Sequence, residues 1–294
     1  MSDVIKGLWV ALPTPLTEGG AVDRGALVQH AQWLLSEGCD GFVPFGTTGE
    51  GPSFSAAERL AAVEAMLAAG IGADRIGLGA GFPALPDTVA LVRAGLALGL
   101  RHMLLLPPYF YRDVSAQGIE DAFAHVIDEV GDERLRVTLY HIPQTSGVAV
   151  PPSAAAALRA RFGAIVAGLK DSSGDFAQFQ AFRAAAPDIA VTVGNEADIG
   201  RALASGGAGT ICGMANIAPR LVRAMFTDAD AAGPMAEAIA QMQGPFTPTV
   251  KAVLAAQTGE AGWLRVRPPL RPVDAAVGAR IARVLEGLAA RKAA

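Results

Sequence analysis

The sequence predicts a (β/α)8 TIM barrel followed by a C-terminal helical extension. Eight short apolar runs alternate with longer segments of helical period, at a fairly even spacing. Many of the runs are rich in Val, Ile and Leu without polar alternation, as expected of parallel strands covered on both faces. No GxGxxG follows the first run, which argues against an open doubly wound sheet. Strand signals stop after about Pro219, so the barrel is assigned to residues 1–222 and the extension to 223–294.

The strands are expected at Leu8–Leu12, Gly41–Phe45, Ile76–Ala80, His102–Leu106, Val137–His141, Ile165–Lys170, Ala190–Val193 and Gly209–Cys212. Helix starts lie between them. Asp23 precedes the segment carrying Leu27, Ala31 and Leu34, and Ser55-Ala-Ala-Glu58 reads as a capping box. Asp87, Ser115, Ser153 and Asp175 are expected N-caps, and Gly38, Gly70, Gly99 and Gly131 stand where helices should stop. The extension reads as helices interrupted at Gly244-Pro245 and at Arg267–Pro272.

Composition excludes several classes of function. The net charge is -4, with acids and bases mixed and no basic run, so nucleic acid is not an expected partner. The Gly-rich stretch Ala202–Pro219 is too broken for a membrane span, and MSDVIKGLWV shows no secretory leader. Cys39 and Cys212 are far apart and fit no metal or disulfide spacing, which suits reduced thiols in the cytoplasm. His30, His102, His125 and His141 form no ligand set, so neither metal nor cofactor is expected.

Chemistry in such a barrel gathers at the C-terminal ends of the strands. Of the four lysines, Lys6, Lys170, Lys251 and Lys292, only Lys170 falls there, in IVAGLKDSSG. Loss of hydration disfavours the charged form of an amine, and a neutral amine attacks carbonyls. Pairing with Asp171 is the purely structural alternative. Tyr140 ends the preceding strand, and Tyr109 and Tyr111 follow the fourth; a phenol there can move protons. The turn Phe45-Gly46-Thr47-Thr48-Gly49-Glu50 offers amides and hydroxyls suited to a carboxylate or phosphate. Gly194-Asn195-Glu196 and Gly213 are weaker signals of the same kind.

GTTGE after the second strand, Tyr140-His-Ile-Pro143 and GLKDSSGD, in this order, resemble the dihydrodipicolinate synthase / N-acetylneuraminate lyase family. PPYFYR, GNE and ANIAP extend the resemblance along nearly the whole chain. It implies a Schiff-base-forming lyase or synthase acting on pyruvate-like keto acids, in a barrel that is often a homotetramer. On it, Lys170 is the imine-forming lysine and Tyr140 the general acid/base. Thr47 and Thr48, with Gly46, hold the keto-acid carboxylate, Thr47 also relaying protons, and Gly194 and Ile211 line the pocket. Two positions depart from the pattern. Thr145 stands where the synthases that use aspartate semialdehyde carry an arginine for its carboxylate, and a neutral Thr cannot replace a bidentate guanidinium. Phe110 stands at the relay tyrosine lent by a neighbouring subunit, leaving Tyr109 or Tyr111 as substitutes.

The expected activity is aldol cleavage or condensation, or dehydration, of pyruvate-derived 2-keto acids. The edge Gln144-Thr145-Ser146 directs the expectation toward hydroxyl-rich 2-keto-3-deoxy sugar acids. The rivals are a 4-hydroxy-tetrahydrodipicolinate synthase gripping the semialdehyde with Arg112, and a barrel that binds a keto acid without turnover.

Overall fold

In the computed structural model, which describes residues 3–293, eight strands alternate with helices around a ring. Ala229 and 290–293, Lys292 among them, have side chains outside the described residues, as Met1, Ser2 and Ala294 are altogether. The strands are β1 (Gly7–Leu12), β2 (Gly41–Pro44), β3 (Gly77–Gly79), β4 (His102–Leu105), β5 (Arg136–His141), β6 (Val166–Asp171), β7 (Ala190–Val193) and β8 (Gly209–Cys212). Pairing is parallel in the order β2-β1-β8-β7-β6-β5-β4-β3, and a bridge from Phe42 to Ile76 closes the ring between β2 and β3.

Strand periodicity divides the apolar residues into two cores. Trp9, Ala11, Val43, Leu104, Tyr140 and Ile211 pack together inside the barrel. Their strand neighbours Leu8, Val10, Phe42, Met103, Leu139 and Cys212 face outward into the layer beneath the helices. Burial on both faces explains why the strands read as continuous apolar runs.

Most predicted helix ends are realised. Asp23, Ser55, Ser115 and Asp175 each accept from a first-turn amide, and Ser55 and Glu58 form a full capping box. Two caps differ. Leu85–Ala97 begins after Ala84 with Asp87 inside the first turn, and Pro152–Phe162 begins after Pro151 with Ser153 likewise inside. Pro86 and Pro152 preset the first-turn backbone and lack one of the amides a cap would serve, so each helix starts earlier than the polar residue suggests. The sequence boundary at 222/223 falls within the helix Pro219–Ala224.

The C-terminal segment is bolted to the barrel. Arg267 binds Glu58, Ser53 and Gly20 and lies 4.2 Å over the Phe54 ring, and its guanidinium holds the Glu58 carboxyl down to about 2. Deeper, Lys251 from the helix Phe246–Thr258 donates to Thr14 O at 2.8 Å and Glu50 Oε1 at 2.6 Å, with both charged side chains fully buried. Among the described residues no helix is long and apolar enough to cross a membrane.

Two histidines make the fold acid-sensitive. His30 lies between Trp33 and Trp263 with Nε2 3.2 Å from Asn216 Oδ1, and burial pushes it from 6.5 down to about 4 against that hydrogen bond. His141 accepts from Val150 N at 3.0 Å, and burial likewise pushes it to about 4. The unfolded chain takes up these protons near pH 6.5, whereas the fold resists them until about pH 4. Stability is therefore fully present above pH 6.5 and falls as pH drops toward 4, by up to roughly 3 kcal/mol for each histidine. Urea denaturation at pH 7 and pH 5 should show the loss, and the double variant His30→Gln, His141→Asn should show little of it. An equal slope in that variant would refute the assignment.

Candidate active site

The residues singled out in the sequence meet at the C-terminal rim of the strands. Tyr140 and Lys170 are register partners on β5 and β6, so their side chains enter the barrel mouth side by side. The Lys170 amine lies 4.4 Å from the centre of the Tyr140 ring, and both residues are buried. Tyr140 OH is 3.2 Å from Thr47 Oγ1 in the turn after β2. An amine, a phenol and a hydroxyl thus stand in series across three strand ends.

That turn is held in a strained form. Phe45 and Glu50 take left-handed φ values of 59° and 56°, each costing about 1–3 kcal/mol in a residue with a side chain. Compensation comes from Gly51 N to Gly46 O, Glu50 N to Thr47 O, and Thr14 Oγ1 to Gly49 O, besides the Glu50–Lys251 pair. Thr48 is buried toward Gly213, where an added Cβ would come within 3.4 Å of its hydroxyl oxygen.

β6 runs one residue past the expected end, to Asp171. Asp171 accepts from Ser173 N and forms no salt bridge with Lys170 among the described residues. Gly194 lets β7 approach: a Cβ there would meet Ser172 Oγ at 2.0 Å and Lys170 Cε at 3.1 Å, so a side chain there would push the serine and crowd the lysine stem. Ile211 is fully buried in the barrel interior beside Tyr140 and Leu104, a floor rather than a wall. Glu196 is buried and accepts from Gly213 N and Met214 N, tying the β7 and β8 ends together. Burial pushes its carboxyl up, opposed by those two amides and by the charge of Lys170.

A cavity of about 240 Å³ opens beside Thr47 and Tyr140. Gly46, Thr47, Tyr140 and Thr145 lie on its wall; Lys170 stands behind Tyr140 on the next strand, and Thr48, Gly194 and Ile211 lie off the wall. Of the three aromatic residues after β4, only Tyr109 faces the cavity, and burial raises its phenol against the pull of Arg59. Phe110 and Tyr111 are exposed and pack edge to face on each other. Arg112 donates to Ser146 O, and its guanidinium fills the space a Cβ at Gly147 would take.

The edge Gln144-Thr145-Ser146 is less open than its composition suggests. Gln144 Nε2 donates to Ser172 O, while Ser146 Oγ bonds the carbonyls of Ile142 and Val148. Sequence reasoning passed over Arg59 and did not pair Glu50 with Lys251, and it gave Glu196 only as part of a weak signal. A lysine set inside the apolar run TVKAVLAA was the available sign for Lys251. Among the described residues no group of three or more His, Cys, Asp or Glu side chains is placed to hold a metal. Both cysteines are buried free thiols, Cys39 pushed up to about 12 by burial and Cys212 well above the usual range.

Comparison with known proteins agrees with this fold. Residues 4–275 match the dihydrodipicolinate synthetase family. A DapA-like lyase of Chloroflexus aurantiacus is 35% identical over 96% of this chain and 98% of its own. A 4-hydroxy-tetrahydrodipicolinate synthase of Anaeromyxobacter sp. is 33% identical over 94% and 95%. The crystal structure of dihydrodipicolinate synthase from Agrobacterium tumefaciens superposes with a TM-score of 0.91 at 34% identity, covering 97% of this chain and 99% of that one. The chain belongs to the dihydrodipicolinate synthetase family, whose members are class I aldolase-type lyases.

Proposed function

We propose that this protein makes or breaks a carbon–carbon bond between pyruvate and an aldehyde through a Schiff base on Lys170. One contrast carries the reading. Among the described residues the fold buries two lysines, and Lys251 is held by a carboxylate and a carbonyl. Among the described residues, Lys170 Nζ has neither hydrogen bond nor salt bridge and rests on the Tyr140 ring. An amine not tied to a carboxylate or a carbonyl is placed to attack a keto carbon.

The amides and hydroxyls of Thr47 and Thr48 hold the keto-acid carboxylate. Lys170 attacks the keto carbon, and Tyr140, bonded to Thr47, delivers and removes the protons as the carbinolamine forms and loses water. The imine loses a methyl proton to give the enamine that meets the aldehyde; the reverse sequence cleaves a 4-hydroxy-2-oxo acid, and loss of its hydroxyl is the dehydratase outcome. A cytoplasmic homotetramer belongs to the same reading on family resemblance, and sedimentation velocity tests the assembly.

Pyruvate with borohydride, followed by peptide mapping, tests the chemistry. A reduced adduct on Lys170 is expected, and its absence would falsify the Schiff-base role. Tyr140→Phe should slow imine formation by about 10²–10⁴-fold with the fold intact, the usual contribution of a positioned acid/base. Unchanged trapping kinetics would remove Tyr140 from that role.

A second reading, condensation of pyruvate with aspartate semialdehyde, is favoured by one observation: Arg112 reaches the loop of Thr145 and Gly147. Its activity should then collapse in Arg112→Ala.

A further inference from the structure

We infer that the aldehyde partner is small, uncharged and apolar, an aliphatic or aromatic aldehyde rather than a carboxylate-bearing or polyhydroxylated one. This rests on the Schiff-base reading of Lys170 and assigns the other half of the reaction.

Beyond the Thr47–Tyr140 pair, the apolar part of the cavity wall is built from Phe45, Leu104, Leu106, Ile142, Pro269 and Leu270. A second carboxylate entering it would leave water and need a cation. Among the described residues, the one cationic side chain on the wall is Arg59, which is 1% exposed and gives three of its five N–H donors to main-chain carbonyls. Nε donates to Phe54 O, Nη1 to Gly79 O and Nη2 to Gly51 O, while the guanidinium plane lies 4.1 Å from the Phe82 ring centre. Arg112 is bonded to the Ser146 carbonyl and is not part of the wall. Glu50 on the wall is matched by Lys251 and has no charge to offer.

A polyhydroxylated aldehyde fares no better. The edge expected to receive its hydroxyls has Gln144 and Ser146 turned to main-chain carbonyls. The hydroxyls of Tyr109, Thr145 and Ser53 remain on the wall, enough to hold one carbonyl oxygen but set among apolar side chains. Successive hydroxyls of a sugar would face Leu104, Leu106 and Ile142 without partners. The volume of about 240 Å³ is below the range of roughly 300–1,000 Å³ for drug-sized ligands, which limits the aldehyde to a small body.

The step balances without a further reactant. The enamine carbon forms a bond to the aldehyde carbon, and the carbonyl π pair moves to oxygen, which takes a proton. Water then hydrolyses the imine, freeing the Lys170 amine and a 4-hydroxy-2-oxo acid.

The test uses the full chain with pyruvate and four aldehydes: butanal, benzaldehyde, glyceraldehyde and aspartate semialdehyde. Pyruvate consumption gives kcat/KM, and mass spectrometry identifies the product. Butanal or benzaldehyde should exceed the other two by at least about tenfold, the discrimination of a modest 1.4 kcal/mol. Thr145→Arg, at an exposed position, should shift the ratio toward aspartate semialdehyde by at least as much. Preference for glyceraldehyde or aspartate semialdehyde, or no preference, overturns the inference while pyruvate trapping on Lys170 persists. Loss of trapping itself overturns the Schiff-base reading beneath it.

Discussion

Lys170→Ala should abolish reductive trapping of pyruvate and lower turnover by about 10⁴-fold or more, a loss of some 5–6 kcal/mol of barrier reduction. Its stability should change little. The substitution removes a stem packed against Gly194 and the Tyr140 ring, which costs packing. No hydrogen bond or salt bridge among the described residues is lost with it, so no buried polar partner is left unsatisfied. Glu196 is not stranded, because Gly213 N and Met214 N continue to donate to its carboxylate. A net change within about 2 kcal/mol in urea denaturation is therefore expected. Destabilisation well beyond that, or turnover that survives, would mean that Lys170 holds the barrel together rather than reacting.

The position of Lys170 was legible because barrel strands announce themselves. Continuous apolar runs can be counted, and a charge at the end of one is conspicuous. Register then did the rest: two residues at the same height on adjacent parallel strands must emerge together, as Tyr140 and Lys170 do. Strand ends shifted by only a residue or so, since Phe45 leaves β2 through a left-handed turn that its residue type does not advertise.

What the sequence concealed are relations between distant segments. Gln144 reads as an open hydroxyl-binding group, yet its Nε2 donates to the Ser172 carbonyl, 28 residues away, while Ser146 is taken by carbonyls of its own turn. Arg59 sits in a helix with a strong start signal, and nothing local says that it closes one wall of the cavity. Glu50 and Lys251 are 201 residues apart, so neither could suggest the other.

That distant pair underlies the second large effect. Lys251→Met should destabilise the protein by about 3–5 kcal/mol, because it leaves the Glu50 carboxylate buried without its cation. Burial already disfavours the charged amine of Lys251, and the Glu50 carboxylate opposes that, so the two groups hold each other in place. Removing one exposes the full cost of burying the other. Adding Glu50→Gln to Lys251→Met should recover much of the loss, since the single amide oxygen can still accept from Arg267 N and no net charge remains buried. Catalysis should follow loop position rather than stability. Glu50 sits at the left-handed end of the turn that carries Thr47 and Thr48, and the pair fixes that end to the C-terminal segment. Assayed well below its melting temperature, the double variant should therefore show a raised KM for pyruvate, with kcat less affected. Wild-type stability in the single variant would show that Glu50 reaches water or takes up a proton at no cost. Wild-type KM in the stabilised double variant would show that the turn keeps its shape unaided.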